Sequence, residues 1–263
     1  MLVVRGRYLL AALVLFLAAA FGGGWLLAMR SPRYVPSATH WPVARDLDMP
    51  LFYVRTERPL VALTFDISWG RNTVGPVLDI LRAKNVKATF FLSGFWAKQH
   101  PDIARRIVAE GHEIGSHGDD HVNLSQYDAN AIARNIMTAH RDLEEVTGTQ
   151  PRFFRPPNGD YDDLVVATAR QLGYETVIWS LDTIDWKNPG VEFMVRRVRD
   201  NVYRGDIILM HASDSSKQIH LALPQIIDNL RQAGYELVTL GELLQAGTPG
   251  RDDPRGRPRG EGR

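Results

Sequence analysis

The stretch "LTFDISWG", residues 63–70, closes an apolar run on one acid, Asp66, and meets Ser68, Trp69 and Gly70 rather than a glycine-rich phosphate loop. Residues 61–66 read as a short strand bounded by turn residues. A dinucleotide-binding sheet would open with a strand followed by G-x-G-x-x-G, and that signature is missing here. From this first strand outward, short apolar runs alternate with amphipathic stretches. Further strands are expected at 87–93, 113–116, 153–155, 176–181, 206–211 and 236–239. Helices are expected at 73–84, where Val74, Val77, Leu78 and Leu81 share one face, and at 126–146, 161–172, 191–202 and 221–232. Gly111, Gly173 and Gly234 each stand between a helical stretch and a strand, where a C-terminal glycine belongs. The alternation implies a parallel α/β sheet. About seven units in succession, with no phosphate loop, point to a (β/α) barrel of about seven parallel strands rather than an open sheet.

Composition agrees with one large domain and excludes several functions. The 263 residues are 44% hydrophobic and 23% charged, with a net charge of +1 and no cysteine. Near-neutral charge leaves no electrostatic footprint for nucleic acid, and the lack of cysteine removes disulfides and thiolate metal sites. Residues 8–29 carry no charge and are long enough to span a bilayer. Arg5 and Arg7 precede them, so residues 1–7 are expected inside, with everything beyond Arg30 outside. Processing at Ala18–Ala20 is the alternative and would release the domain. A Pro-punctuated linker is expected at 30–50, the main domain at 51–246, and a disordered Gly-, Pro- and Arg-rich tail at 247–263.

In a barrel, functional groups stand at the C-terminal ends of the strands. Those ends carry Asp66, then His117 and His121, Arg155, Asp182 with Asp185 and Trp186, and His211. Five strand ends rich in such groups would converge on one rim.

In order along the chain these residues form the motifs TFDI (64–67), HGDDH (117–121), RPPN (155–158), DTIDW (182–186) and LMH (209–211). The set resembles the polysaccharide deacetylase family, the NodB-homology domain of carbohydrate esterase family 4. That family's motifs are TFDDG, H-(S/T)-x-x-H, R-x-P-Y, D-x-x-D-W and L-x-H. The "FDISWG" form behind an apolar N-terminus looks most like the sporulation-associated branch of endospore-forming bacteria. The resemblance implies a distorted (β/α) barrel and metal-assisted removal of acetyl groups from N-acetylated glycan, here a peptidoglycan-like cell-wall polymer.

It also implies roles. His117 and His121 would bind a divalent metal, zinc or else cobalt. Asp66 would be the general base, oriented by Arg155. His211 would be the general acid, with Asp185 fixing its tautomer. The backbone N–H of Asn158, beside Pro157, would face the oxyanion, and Trp186 and Leu209 would wall the acetyl pocket.

One departure stands out: the family's second aspartate, its third metal ligand, is Ile67 here. Two imidazoles with water or Asp66 could form a weaker site, Asp119 or Asp120 could substitute, or the protein could have become a catalytically silent glycan binder. A glycosidase pairing carboxylates from Asp66, Asp182 and Asp185 is a further alternative.

Overall fold

The structure, a computed structural model, describes residues 49–254. The expected cytoplasmic segment 1–7, the membrane segment 8–29 and nearly all of the 30–50 linker lie outside the described residues. Among the described residues, no helix is long and apolar enough to cross a membrane.

The "LTFDISWG" strand lies inside the sheet. It is β2 (Leu60–Ile67), preceded by the short β1 (Tyr53–Arg55), and all eight of its residues are buried. Strands covered on both faces read as continuous apolar runs, which is how this one is written. Leu63, Phe65 and Ile67 join Val74, Val77 and Leu78 of α1 (Val74–Ala83) in the outer core. Leu60 and Ala62 belong to an inner cluster with Phe91 and Phe153. Thr64 and Asp66 therefore share the inner face, because side chains alternate along a strand. Each large apolar side chain buried this way contributes about 1.5–3 kcal/mol.

The chain then runs through β3 (Thr89–Leu92), α2 (Gly94–Gln99), α3 (Pro101–Ala109), β4 (Glu113–Ser116), α4 (Ala129–Thr147) and β5 (Phe153–Phe154). After α5 (Asp163–Gln171) come β6 (Glu175–Thr176), β7 (Leu181–Asp182), α6 (Val191–Asn201), β8 (Ile207–His211), α7 (Ile219–Gln232), β9 (Glu236–Val238), α8 (Leu240–Gln245) and β10 (Thr248–Gly250). The main sheet has the order β6-β5-β4-β3-β2-β8-β7, with β9 also on β2, and every pairing in it is parallel.

The expected distorted barrel of about seven strands is a curled half-barrel, open between its edge strands β6 and β7. The single strand expected at 176–181 is two short strands, β6 and β7, which form opposite edges of the sheet. Val177 N donates to Phe154 O at 2.8 Å, whereas Ser180 N donates to Ile207 O at 3.0 Å. The stretch leaves one neighbour and joins another, so covalent chain rather than a strand ladder spans the gap.

The expected disordered tail also needs correction in its first residues, whereas residues 255–263 lie outside the described residues. Its residues Thr248–Gly250 pair antiparallel with β1. Arg251 makes two 2.8 Å contacts to the Glu175 carboxylate and donates to Met49 O at 2.8 Å. Backbone pairing and an ion pair order this segment without apolar side chains, so the domain extends past residue 246.

Candidate active site

Asp66 is the penultimate residue of β2 and lies in register with His211, the last residue of β8. Their pairing places an acid and an imidazole side by side at the C-terminal edge of the sheet.

Behind Asp66 sits Arg155, just past β5 and fully buried. Its Nη1 donates to Asp66 Oδ1 at 2.7 Å and to Thr64 Oγ1 at 3.0 Å, and its Nη2 donates to Ile178 O at 2.9 Å. The guanidinium lies 4.0 Å from the centre of the Phe91 ring. Burial by itself raises the pKa of Asp66. The charge of Arg155, then those of His117 and His211, outweigh burial and hold the carboxyl below its ordinary range.

His117 follows β4. Its Nδ1 lies 2.8 Å from Arg155 O; a carbonyl only accepts, so Nδ1 carries the proton and Nε2 keeps its lone pair. That Nε2 lies 3.7 Å from Asp66 Oδ2. Burial pushes the ring down to about 4, so it is neutral at pH 7. The His121 ring is 5.3 Å from that of His117, and burial lowers it as well.

His211 is held from the other side. Its Nδ1 is 2.9 Å from Asp185 Oδ1, and its backbone N donates to Asp185 Oδ2 at 2.7 Å. Ser216 Oγ donates to that same oxygen at 2.7 Å. Burial favours neutral His211, but the Asp185 hydrogen bond and charge, with Asp66 and Asp182 behind them, raise it above its ordinary value. Asp185 follows Ile184, whose φ of 60° is unusual for a β-branched residue. Such strain is tolerated where the surroundings hold it, and here it turns the chain so that Asp185 lies beneath His211.

These groups border a cavity of about 380 Å³. Asp66, His117, His121, Asn158, Trp186, Leu209 and His211 all line it, as the sequence motifs predict. Arg155 and Asp185 lie buried beneath the lining. Pro157 is buried in the turn that presents Asn158 and is not part of the lining. Sequence reasoning missed Trp69, Trp179, Ser68 and Ser213 in the lining, and Thr64 and Ser216 behind it. Trp69 had a signal, since it is a large aromatic three residues past the strand-end acid. The serines had none.

Ile67 is fully buried in the outer apolar core and supplies no donor to the cavity. Asp119 lies against Gly94 at the start of α2, and neither it nor Asp120 lines the cavity. Among the described residues, no group of three His, Asp or Glu side chains is placed to hold a metal ion. The donors that fit a divalent cation are the two imidazoles, both in the neutral form a cation requires. The glycosidase alternative loses one of its carboxylates, because Asp185 is fully buried behind His211.

The polysaccharide deacetylase family model matches residues 53–177. A peptidoglycan-N-acetylglucosamine deacetylase of Bacillus cereus is 37% identical over 74% of this chain and 95% of that protein. The uncharacterized protein YlxY of Bacillus subtilis is 32% identical over 74% of this chain, which spans 60% of YlxY's length. Among solved structures, BA3943 of Bacillus anthracis, a CE4-family pseudoenzyme, superimposes with a TM-score of 0.71 at 34% identity, covering 74% of this chain and 68% of that one. A BA3943 mutant with restored enzymatic activity superimposes equally well. With five motifs in order and the half-barrel that assembles them, the chain belongs to the polysaccharide deacetylase family.

Proposed function

We propose that the chain removes N-acetyl groups from a cell-wall glycan of peptidoglycan type, with a cation site built on two imidazoles instead of the family's three ligands. The observation that carries this reading is the pairing of Asp66–Arg155 with His211–Asp185 across one cavity. A binding surface alone needs neither an ionised carboxylate held by a buried arginine nor an imidazole biased towards its acid form.

A divalent cation at His117 Nε2 and His121 would polarise the acetamide carbonyl and acidify a water molecule. Asp66, ionised by Arg155, accepts the proton of the attacking water. The amide carbon gains the water oxygen and loses the sugar nitrogen. His211 delivers a proton to that nitrogen from Nε2, because Asp185 holds its Nδ1 side. Acetate and a free amine leave. Leu209 and Trp186 line the cavity and offer apolar surface to the acetyl methyl.

Relatives that act on peptidoglycan N-acetylglucosamine support the choice of polymer, and the apolar run 8–29 supports a site of action outside the cytosol. The "FDISWG" form supports a role in sporulation.

One observation favours a second reading. Ile67 lies in the core, and the similar BA3943 is a pseudoenzyme, so the chain would bind glycan without turnover. Acetate release from peptidoglycan and N-acetylated oligosaccharides, by metal-stripped protein and with added Zn²⁺ or Co²⁺, separates the two. Metal-stimulated release that falls about 10²–10⁴-fold in Asp66→Asn supports the hydrolase. Glycan binding with no acetate under any metal establishes the silent binder.

A further inference from the structure

Trp69, on the loop between β2 and α1, is 45% exposed, although the backbone around it is pinned. Asp214, from the loop after β8, accepts from the backbone N–H groups of Arg71, Asn72 and Thr73 at 3.3, 2.8 and 2.9 Å. Asp214 N donates to Trp69 O at 3.3 Å, and Trp96 Nε1 donates to Gly70 O at 2.7 Å. Gly70, with φ +77°, lets the loop press against the Asp214 side chain, where any Cβ would collide. Contacts at so many points hold the backbone that carries the indole. The ring instead stands edge-on to His121, with centroids 5.0 Å apart, and lines the cavity.

A second exposed indole, Trp186 at 47%, borders the same cavity from beyond β7. In the sheet β8, carrying His211, lies between β2 and β7. Exposed aromatic faces thus flank the acid–base pair on both sides along the rim, and no deacetylation step uses Trp69. Large aromatic side chains exposed at the mouth of a polar cavity mark a ligand surface.

We propose that Trp69 is a stacking platform for the sugar next to the one that enters the cavity, so that the protein selects a β-linked N-acetylhexosamine oligomer over a single sugar. A pyranose offers a C–H face to the indole and keeps its hydroxyls at the edge in water. A rigid indole loses little freedom on contact. The inference rests on the glycan reading above but not on turnover, so it applies to the hydrolase and to the silent binder alike.

Calorimetric titration of the metal-free full chain with N-acetylglucosamine and with its β-1,4-linked tetramer tests it. Trp69→Ala, Trp69→Phe and a separate Zn²⁺ titration of each protein run beside it. Trp69→Ala is expected to weaken tetramer binding roughly tenfold and to narrow the gap between tetramer and monomer. Trp69→Phe, which keeps a flat ring, is expected to lose less, with Zn²⁺ affinity alike in all three. Unchanged tetramer affinity in Trp69→Ala overturns the inference. So does a loss that only parallels weakened Zn²⁺ binding, which would make the indole a support for His121. If the unmodified chain binds neither sugar, the glycan reading itself fails and takes this inference with it.

Discussion

At the scale of single residues, the site consists of two buried pairs with opposite biases. Arg155 holds Asp66 ionised, and Asp185 holds His211 towards its protonated form. Replacing Asp185 by Asn removes the group that raises His211. The alkaline limb of kcat/KM for acetate release is then expected to move to lower pH, with a fall of about 10²-fold or more. An unmoved limb would mean that another group supplies the proton. Ile67 tests the other half of the site. Asp at this position starts as an unpaired carboxylate in an apolar core, a defect that costs about 3–5 kcal/mol. Urea unfolding of metal-free Ile67→Asp should show that loss, and Zn²⁺ should restore much of it if the new carboxylate turns to the histidines. A variant indifferent to Zn²⁺ would leave two imidazoles as all that this backbone can offer.

At the scale of elements, loops rather than strands tune the site. Thr73 at the start of α1 makes no capping bond with its own side chain. Asp214, remote in sequence, takes that role for Arg71, Asn72 and Thr73. The same contacts lower its pKa against the opposing effect of burial. Asp214→Ala is therefore expected to cost about 1–2 kcal/mol, as loss of a helix cap does, and to speed hydrogen exchange in residues 69–73 specifically. Exchange that rises evenly across the domain would argue against a local clamp. The expected helices at 73–84 and 191–202 match α1 and α6 within a residue or two, because their apolar periodicity coincides with their burial. The 176–181 stretch defeated the same reasoning. A short apolar run states that a segment is extended, not that its two halves pair with different neighbours.

At the scale of the whole molecule, buried imidazoles set the acid stability. His112 and His117 are both pushed by burial from 6.5 to about 4. His112 also faces Lys87 and Arg106, which lower it, and Glu110, which opposes them. Unfolded chain takes up these protons near pH 6.5, whereas folded chain resists them until about pH 4. The stabilisation is thus complete above 6.5 and is lost as pH falls through that window. His211, raised by its partners, acts in the opposite direction and stabilises more at low pH. Three lowered imidazoles, His121 among them, outweigh one raised, so the urea midpoint of the metal-free protein should fall between pH 7 and pH 4.5. A level midpoint would mean that the rings are hydrated in the folded state.

Read alone, the sequence determined the parallel α/β layout, the order of the motifs and the gathering of Asp66, His117, His121, Arg155 and His211 at one end of the strands. Each of these depends on local periodicity or on residue type at a strand end, and both are written in a single stretch of chain. It also exposed the gap at Ile67. Tertiary structure alone decided that the barrel stays half closed, that residues 248–250 form a strand against β1, and that Ile67 packs into the outer core while Asp66 faces inward. It likewise brought Trp69 to the cavity rim under the hold of Asp214. These outcomes depend on partners outside the local stretch, more than a hundred residues away for residues 248–250 and for the Trp69 loop, and no local pattern records which remote backbone or carboxylate will satisfy a given group.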